Sequence, residues 1–323
     1  MNSFRSDIIL LFALCLVYSA TSQEITVHDP VMAAEKGRYY LYSTGKGISV
    51  SSSPDMKHWN PEPPVFPEAP AWAESVVPGF RNHIWAPDIF RHNGRYYLYY
   101  SISSFGKNTS AIGVATNETL RPDAPDYHWK DHGIILRSVP NRDMWNAIDP
   151  NVVPGQAGDH WLAFGSFWGG IKLVKLSDDL LSVRQPEEWH TIARRKRSFE
   201  TADEAPGDAA IEAPFIFYKN GYYYLFVSFD YCCRGKESTY KVVVGRSEQV
   251  TGPYRDKAGQ LMTSGGGTPV ITGDSRWAGA GHNSIYTFGG EDYLVFHGYD
   301  STDQGKPKLR IVKVRWKDGW PGE

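Results

Sequence analysis

The chain has 323 residues, and its 34 Lys plus Arg nearly balance 36 Asp plus Glu, so no strong field draws it to nucleic acid or to a membrane; a neutral polymer suits it. Aromatic residues make up 14%, with 11 Trp and 19 Tyr, which fits a surface that stacks on sugar rings as well as an aromatic core. Three cysteines exclude a disulfide framework and a Cys-rich zinc site.

Arg5 precedes an apolar run from Ile8 to Tyr18 that is too short to span a bilayer, and Ala20 and Ser22 follow in the spacing of a cleavage site. Residues 1–22 therefore read as an export signal and 23–323 as a secreted domain, extracellular or periplasmic, with a monomer expected. Removal of Cys15 with the signal leaves Cys232 and Cys233.

Five times the rest of the chain carries one strand-like phrase with a Gly at its start. It reads GRYYLYS from Gly37, GRYYLYYS from Gly94, GDHWLAFGS from Gly158, GYYYLFVSF from Gly221 and GEDYLVFHG from Gly290. The glycines recur roughly every sixty to seventy residues. About seven or eight residues before each stands Pro30, Pro87, Pro150 or Pro214, with Asn283 in the fifth copy. An alternating strand follows in four copies, from Ser110 (SAIGVATN), Gly169 (GGIKLVKLS), Tyr240 (YKVVVGRS) and Lys308 (KLRIVKVRW). Short strands in five copies predict an all-β fold, a five-bladed β-propeller; a sandwich or barrel would not explain the repetition. Glu187 to Ala210, rich in charge and small residues, reads as a loop or short helix inserted between blades.

The inner strands of a propeller crowd around one axis, so polar residues at one place in each repeat converge. Before the aligned prolines stand Asp29, Ala86, Asp149 and Ala213, and His282 precedes Asn283; in the fourth copy the acid, Glu212, comes one step earlier. Three acids and a histidine are thus expected at one mouth. Glycoside hydrolysis needs two carboxyls astride the bond, one to protonate the leaving oxygen and one to activate water or attack. A third acid raises the donor's pKa by repulsion.

VHDP from Val27, WAPDI from Trp85, NAIDPN from Asn146, FGSFWGGI from Phe164, IEAPF from Ile211, YCCRG with STYKVVVGRS, and GHNS from Gly281 together resemble glycoside hydrolase family 43, and within it the endo-α-1,5-L-arabinanases. The resemblance implies an inverting hydrolase of arabinan and arabino-oligosaccharides in which Asp29 is the general base, Glu212 the general acid, and Asp149 tunes and orients the acid. It implies that His282 holds an axial calcium ion largely through waters; a hydrogen-bonded structural histidine is the other reading. Trp85, Phe105, Phe167 and Trp168 are similar to sugar-stacking or cleft-lining residues, with core packing as the alternative, and Asn146 and Ser166 are similar to polar contacts. The adjacent Cys232 and Cys233 resemble a vicinal pair of these enzymes, whose redox state the sequence leaves open. Asn108 and Asn117 match a glycosylation pattern.

The rival enzyme is an exo-acting arabinofuranosidase or β-xylosidase on the same propeller. Such enzymes usually close one end of the cleft with extra loops or a second β-sandwich domain; the sequence reads as stopping near Trp320 without that domain, so an open endo-acting cleft is expected. Fructan hydrolases use an aspartate in NDP as nucleophile, and their motifs match poorly. A non-catalytic sugar-binding propeller would need aromatics and repeats but no axial acids.

Overall fold

The computed structural model describes residues 23–322, so the segment read as an export signal lies outside it. Among the described residues no helix is long and apolar enough to cross a membrane, and the only α-helix is Ala73–Val76.

Five antiparallel sheets, each a meander in chain order, follow one another along the chain as blades; the short strand Gly45–Lys46 joins the edge of the second, and a sixth, two-stranded sheet pairs Arg315–Lys317 with Trp320–Gly322. Blade one holds Val31–Glu35, Arg38–Ser43, Ser49–Ser53 and Asn60–Glu62; blade two holds His83–His92, Arg95–Ser103, Ser110–Asn117 and Lys130–Ser138. Blade three is Asn151–Pro154, His160–Phe164, Ile171–Lys175 and Trp189–Ala193. Blade four is Ile211–Lys219, Tyr222–Phe229, Lys241–Ser247 and Thr268–Ile271, and blade five is Trp277–Phe288, Glu291–Asp300 and Lys306–Lys313. Part of the segment expected as an insertion is therefore the outer strand of blade three, and the loop proper runs over 194–210.

The repeat glycines make the hairpins. In four blades the glycine and the residue before it are both left-handed (Lys36 and Gly37 at φ 48° and 79°, Asn93 and Gly94 at 48° and 82°), the geometry of a two-residue turn that matches strand twist. Blade three turns over the longer Gly155–Asp159.

The Tyr-rich phrases fill the core. Tyr96, Leu98 and Tyr100 pack toward blade one while Tyr97 and Tyr99 pack toward blade three, because successive side chains of a strand point to opposite faces and both faces here are covered. Similar clusters lie between the other neighbouring blades. Most of the aromatic excess is thus spent between blades. Asn108 and Asn117 are buried, and Asn108 Nδ2 donates to the carbonyls of Asp143 (2.8 Å) and Trp145 (3.2 Å), so the glycosylation matches are packing residues.

Blade five has three strands of its own, and the start of the domain supplies the outer one. Thr26 bridges Lys308, Val27 N–H donates to Pro307 O (3.1 Å) and Leu309 N–H donates to Ile25 O (3.0 Å). The ring is closed by joining its two ends.

Candidate active site

At the start of every inner strand the residue before the aligned Pro or Asn is left-handed: Asp29 (φ 54°), Ala86 (43°), Asp149 (59°), Ala213 (52°) and His282 (52°). That conformation is uncommon for a residue with a Cβ, and in blades two, four and five it coincides with a shift of register after Trp85, Glu212 and Gly281. A bulge here releases one backbone N–H from the ladder and turns side chains toward the axis. Glu212 occupies the position of His28 and Trp85, one step before the left-handed residue.

The released N–H groups stitch the blades together. Ala86 N–H donates to Thr44 Oγ1 (2.8 Å), Asp149 N–H to Ser101 Oγ (3.2 Å), His282 N–H to Ser228 Oγ (2.8 Å) and Asp29 N–H to His297 Nδ1 (3.2 Å). Each acceptor is the seventh residue after the repeat glycine of the preceding blade. In blade three that residue is Gly165, without a side chain, and Ala213 N–H donates instead to Asp149 Oδ2 (3.0 Å). Asp149 thereby holds the peptide that follows Glu212.

Asp29 is buried, with His28 Nδ1 2.8 Å and His282 Nδ1 3.0 Å from Oδ1, while Thr44 Oγ1 donates to Oδ2 (2.5 Å). Burial alone would raise its pKa, but its contacts with His28 and His282 hold it well below the usual carboxylate range. Burial pushes Asp149 up to about 8, with the His282 charge opposing and Glu212 and Asp29 adding to the rise. Glu212 accepts from Tyr240 Oη (2.8 Å) at Oε1 and from Ser166 Oγ (2.8 Å) at Oε2. The three acids, His282 and Ser166 therefore share one network at the mouth of the axis.

The remaining residues singled out in the sequence lie at the same end of the ring, at the starts of inner strands or in the loops after second strands. Trp85 is partly exposed and Phe167 also retains exposure, its ring 6.1 Å from that of Tyr231. Phe105 is 78% exposed on the loop after Arg95–Ser103, with an open face. Asn146 is buried with Oδ1 unpartnered. Trp168 is buried and donates from Nε1 to Asp203 O (2.8 Å), so it anchors the 194–210 loop and offers no open face to a sugar.

Thr44, His28, Tyr240, His297 and Tyr299 do not stand out from the sequence alone. Thr44 and His297 share the seventh-residue position, a signal the repeat contains, and His28 and Tyr240 lie inside matched motifs. Gly281, in GHNS, is required by packing, since a Cβ there would lie 2.2 Å from the Tyr240 ring.

Calcium prefers six to eight oxygen ligands, and the protein groups here form no such cage. They do fit an ion held at one point. Asp29 takes the Nδ1 side of His282, leaving Nε2 without a protein partner among the described residues, the carboxylate–histidine arrangement that presents a ring nitrogen to a metal. Without a cation, burial opposes the imidazolium of His282, but Asp29 and then Asp149 outweigh it and raise its pKa to about 9. His28, Asp29 and His297 also bring donor atoms within 4.8 Å of one another, but those atoms are engaged in hydrogen bonds to each other.

The family described as Glycosyl hydrolases family 43 matches residues 23–321. An extracellular exo-α-(1→5)-L-arabinofuranosidase of Cellvibrio japonicus (strain Ueda107) is 53% identical over 312 residues, 96% of this chain and 90% of that one. An extracellular endo-α-(1→5)-L-arabinanase of Bacillus subtilis (strain 168) is 43% identical over 299 residues, 91% of this chain and 87% of that one. The structure of a Cellvibrio cellulosa α-L-arabinanase complexed with arabinohexaose superposes with a TM-score of 0.91 at 53% identity, covering 93% of this chain and 96% of that chain.

Proposed function

The chain belongs to glycosyl hydrolases family 43 and is a glycoside hydrolase, and from that premise we propose that it hydrolyses α-1,5-linked L-arabinan with inversion at the anomeric carbon. The observation that carries the reading is the set of three carboxylates brought to one axial mouth from blades one, three and four. Asp29, which its partners keep ionised, takes a proton from the attacking water; Glu212, held by Ser166 and Tyr240, protonates the leaving oxygen; Asp149 fixes the Glu212 segment through the Ala213 N–H. Trp85, Phe105 and Phe167 line the sugar path. Proton NMR of the first product from a linear α-1,5-arabinan should show the β-anomer before mutarotation; an initial α-anomer would make Asp29 a nucleophile.

Internal cutting is supported by the likeness to the Bacillus endo-arabinanase. Release from chain ends is the second reading, favoured by the greater identity to the Cellvibrio exo-acting relative. Viscosity followed against reducing sugar on linear arabinan separates them: an early collapse of viscosity marks internal cuts. Both relatives are named extracellular, which supports secretion, and the proposed working form is a monomer. His282 Nε2 would hold a hydrated calcium ion, which supplies positive charge and ordered water beside the acids. Chelation should then lower the melting temperature or activity without changing product identity, and an unchanged protein would favour the structural histidine.

A further inference from the structure

Behind Asp29 lies a closed ring of hydrogen bonds whose proton directions follow from two backbone groups. Asp29 N–H donates to His297 Nδ1 (3.2 Å), which puts the His297 proton on Nε2. His297 is buried and stays neutral, because burial holds its pKa well below the ordinary value. Its Nε2–H faces Tyr299 Oη (3.2 Å), and Cys233 N–H donates to the same oxygen (2.8 Å). Both lone pairs of the hydroxyl are then in use, so Tyr299 O–H donates to His28 Nε2 (2.9 Å). The His28 proton therefore sits on Nδ1 and points at Asp29 Oδ1 (2.8 Å). His28 and His297 stack with centroids 4.1 Å apart, and Tyr299 stands edge-on to His297 at 5.1 Å.

One link in this chain belongs to a loop. Cys232 and Cys233 are joined as a vicinal disulfide, which closes a small ring through the peptide bond between them. That peptide carries the N–H aimed at Tyr299, so the bridge fixes its direction. The flanks of the loop are held independently: Asp230 pairs with Arg195 (2.6 Å) and Lys241 (2.8 Å), and the Arg234 guanidinium lies 3.9 Å over the Tyr231 ring. Opening the bridge would free the Cys233 peptide without releasing the rest of the loop.

We propose that the Cys232–Cys233 disulfide, acting through Tyr299 and His28, positions the Asp29 carboxylate for catalysis, so that the bridge's redox state sets turnover. This rests on the reading of Asp29 as the base. A dithiol reductant would supply two electrons and two protons, break the S–S bond to two thiols and leave as its own cyclic disulfide. Glu212 and the sugar-lining residues stay in place while the Asp29 carboxylate loses its aim, so the effect falls on kcat and leaves KM nearly unchanged.

The experiment measures kcat and KM on arabinohexaose for wild type, Tyr299→Phe and Asp29→Asn, each before and after dithiothreitol, with free thiols counted and melting temperatures recorded. Expected are a fall in kcat of about tenfold on reducing wild type, with KM within about twofold, and a similar fall in Tyr299→Phe, since modest misplacement of a reacting group carries penalties of this order or larger. Reduction should then change Tyr299→Phe no further, because its link to the bridge is already cut. Wild-type kcat after confirmed reduction, or an equal further fall in Tyr299→Phe, overturns the proposal. Should Tyr299→Phe fail to fold, reduction of the wild-type enzyme still decides by the same kcat criterion. Retained turnover in Asp29→Asn would instead sink the assignment of the base.

Discussion

At the residue scale, function rests on side chains whose bonds are nearly all accounted for. Glu212→Gln and Asp29→Asn should each lower kcat by roughly a hundred- to ten-thousand-fold with the fold intact, because each removes one half of the proposed proton-transfer pair. Steady-state assays beside circular dichroism check this, and more than half of wild-type turnover in either would reassign that residue. Gly281→Ala should cost both stability and activity, since its new methyl would displace the Tyr240 ring that donates to Glu212; a wild-type melting temperature and kcat would contradict it. The three acids are legible in the sequence because Asp29 and Asp149 recur at one repeat position and Glu212 stands one step before it. Tyr299 is not, because its role depends on His28, 271 residues away, and no local pattern encodes that partner.

At the element scale, the strand starts combine bulges with polar ties between blades. Asp88, just past the blade-two bulge, accepts Val152 N–H (2.8 Å) from blade three, and Asn151 Oδ1 accepts Ile216 N–H (2.8 Å) from blade four. Burial pushes Asp88 up to about 7, so the folded chain holds this proton more tightly than the unfolded chain. Its contribution to stability is full below the unfolded pKa near 3.8 and declines as pH rises, levelling off above about 7. A tenfold difference in proton affinity between the folded and unfolded chains is worth about 1.4 kcal/mol. Asp88→Asn stays neutral and keeps an acceptor for Val152, so it should melt several degrees above wild type at pH 8 and with it at pH 4. Calorimetry at the two pH values decides, and a lower melting temperature for the variant at pH 8 would show that the charge is tolerated. The strands themselves are legible from the alternating phrases. The outer strand Trp189–Ala193 is masked by the charged sequence around it, which resembles a loop because an outer strand buries little.

For the whole molecule, five copies of one phrase are enough to predict the ring, whereas the way it closes is not. Ile25 to Val27 is too short to show a period, and its partner lies at the other end of the chain. Glu24 adds ion pairs to Arg276 and to Lys308 (3.0 Å) at the same seam. Deleting residues 23–27 should lower the melting temperature by several degrees or more, since it strips the outer strand from blade five and uncovers an edge. Thermal unfolding of the shortened domain measures this; an unchanged midpoint would mean that packing between blades alone closes the ring.

The seam also orders events during synthesis. The segment that completes blade five is among the first parts of the domain to be made, and Lys308 is among the last. Asp29 comes from the first blade, Glu212 from the fourth and His282 from the fifth, so no chain that stops before blade five can assemble the site. A product that stops after the third blade would carry Asp29 and Asp149 without Glu212, and one that stops after the fourth would carry all three acids without His282. Arrested chains ending before blade five should therefore be hydrolytically silent, however well their early blades have folded.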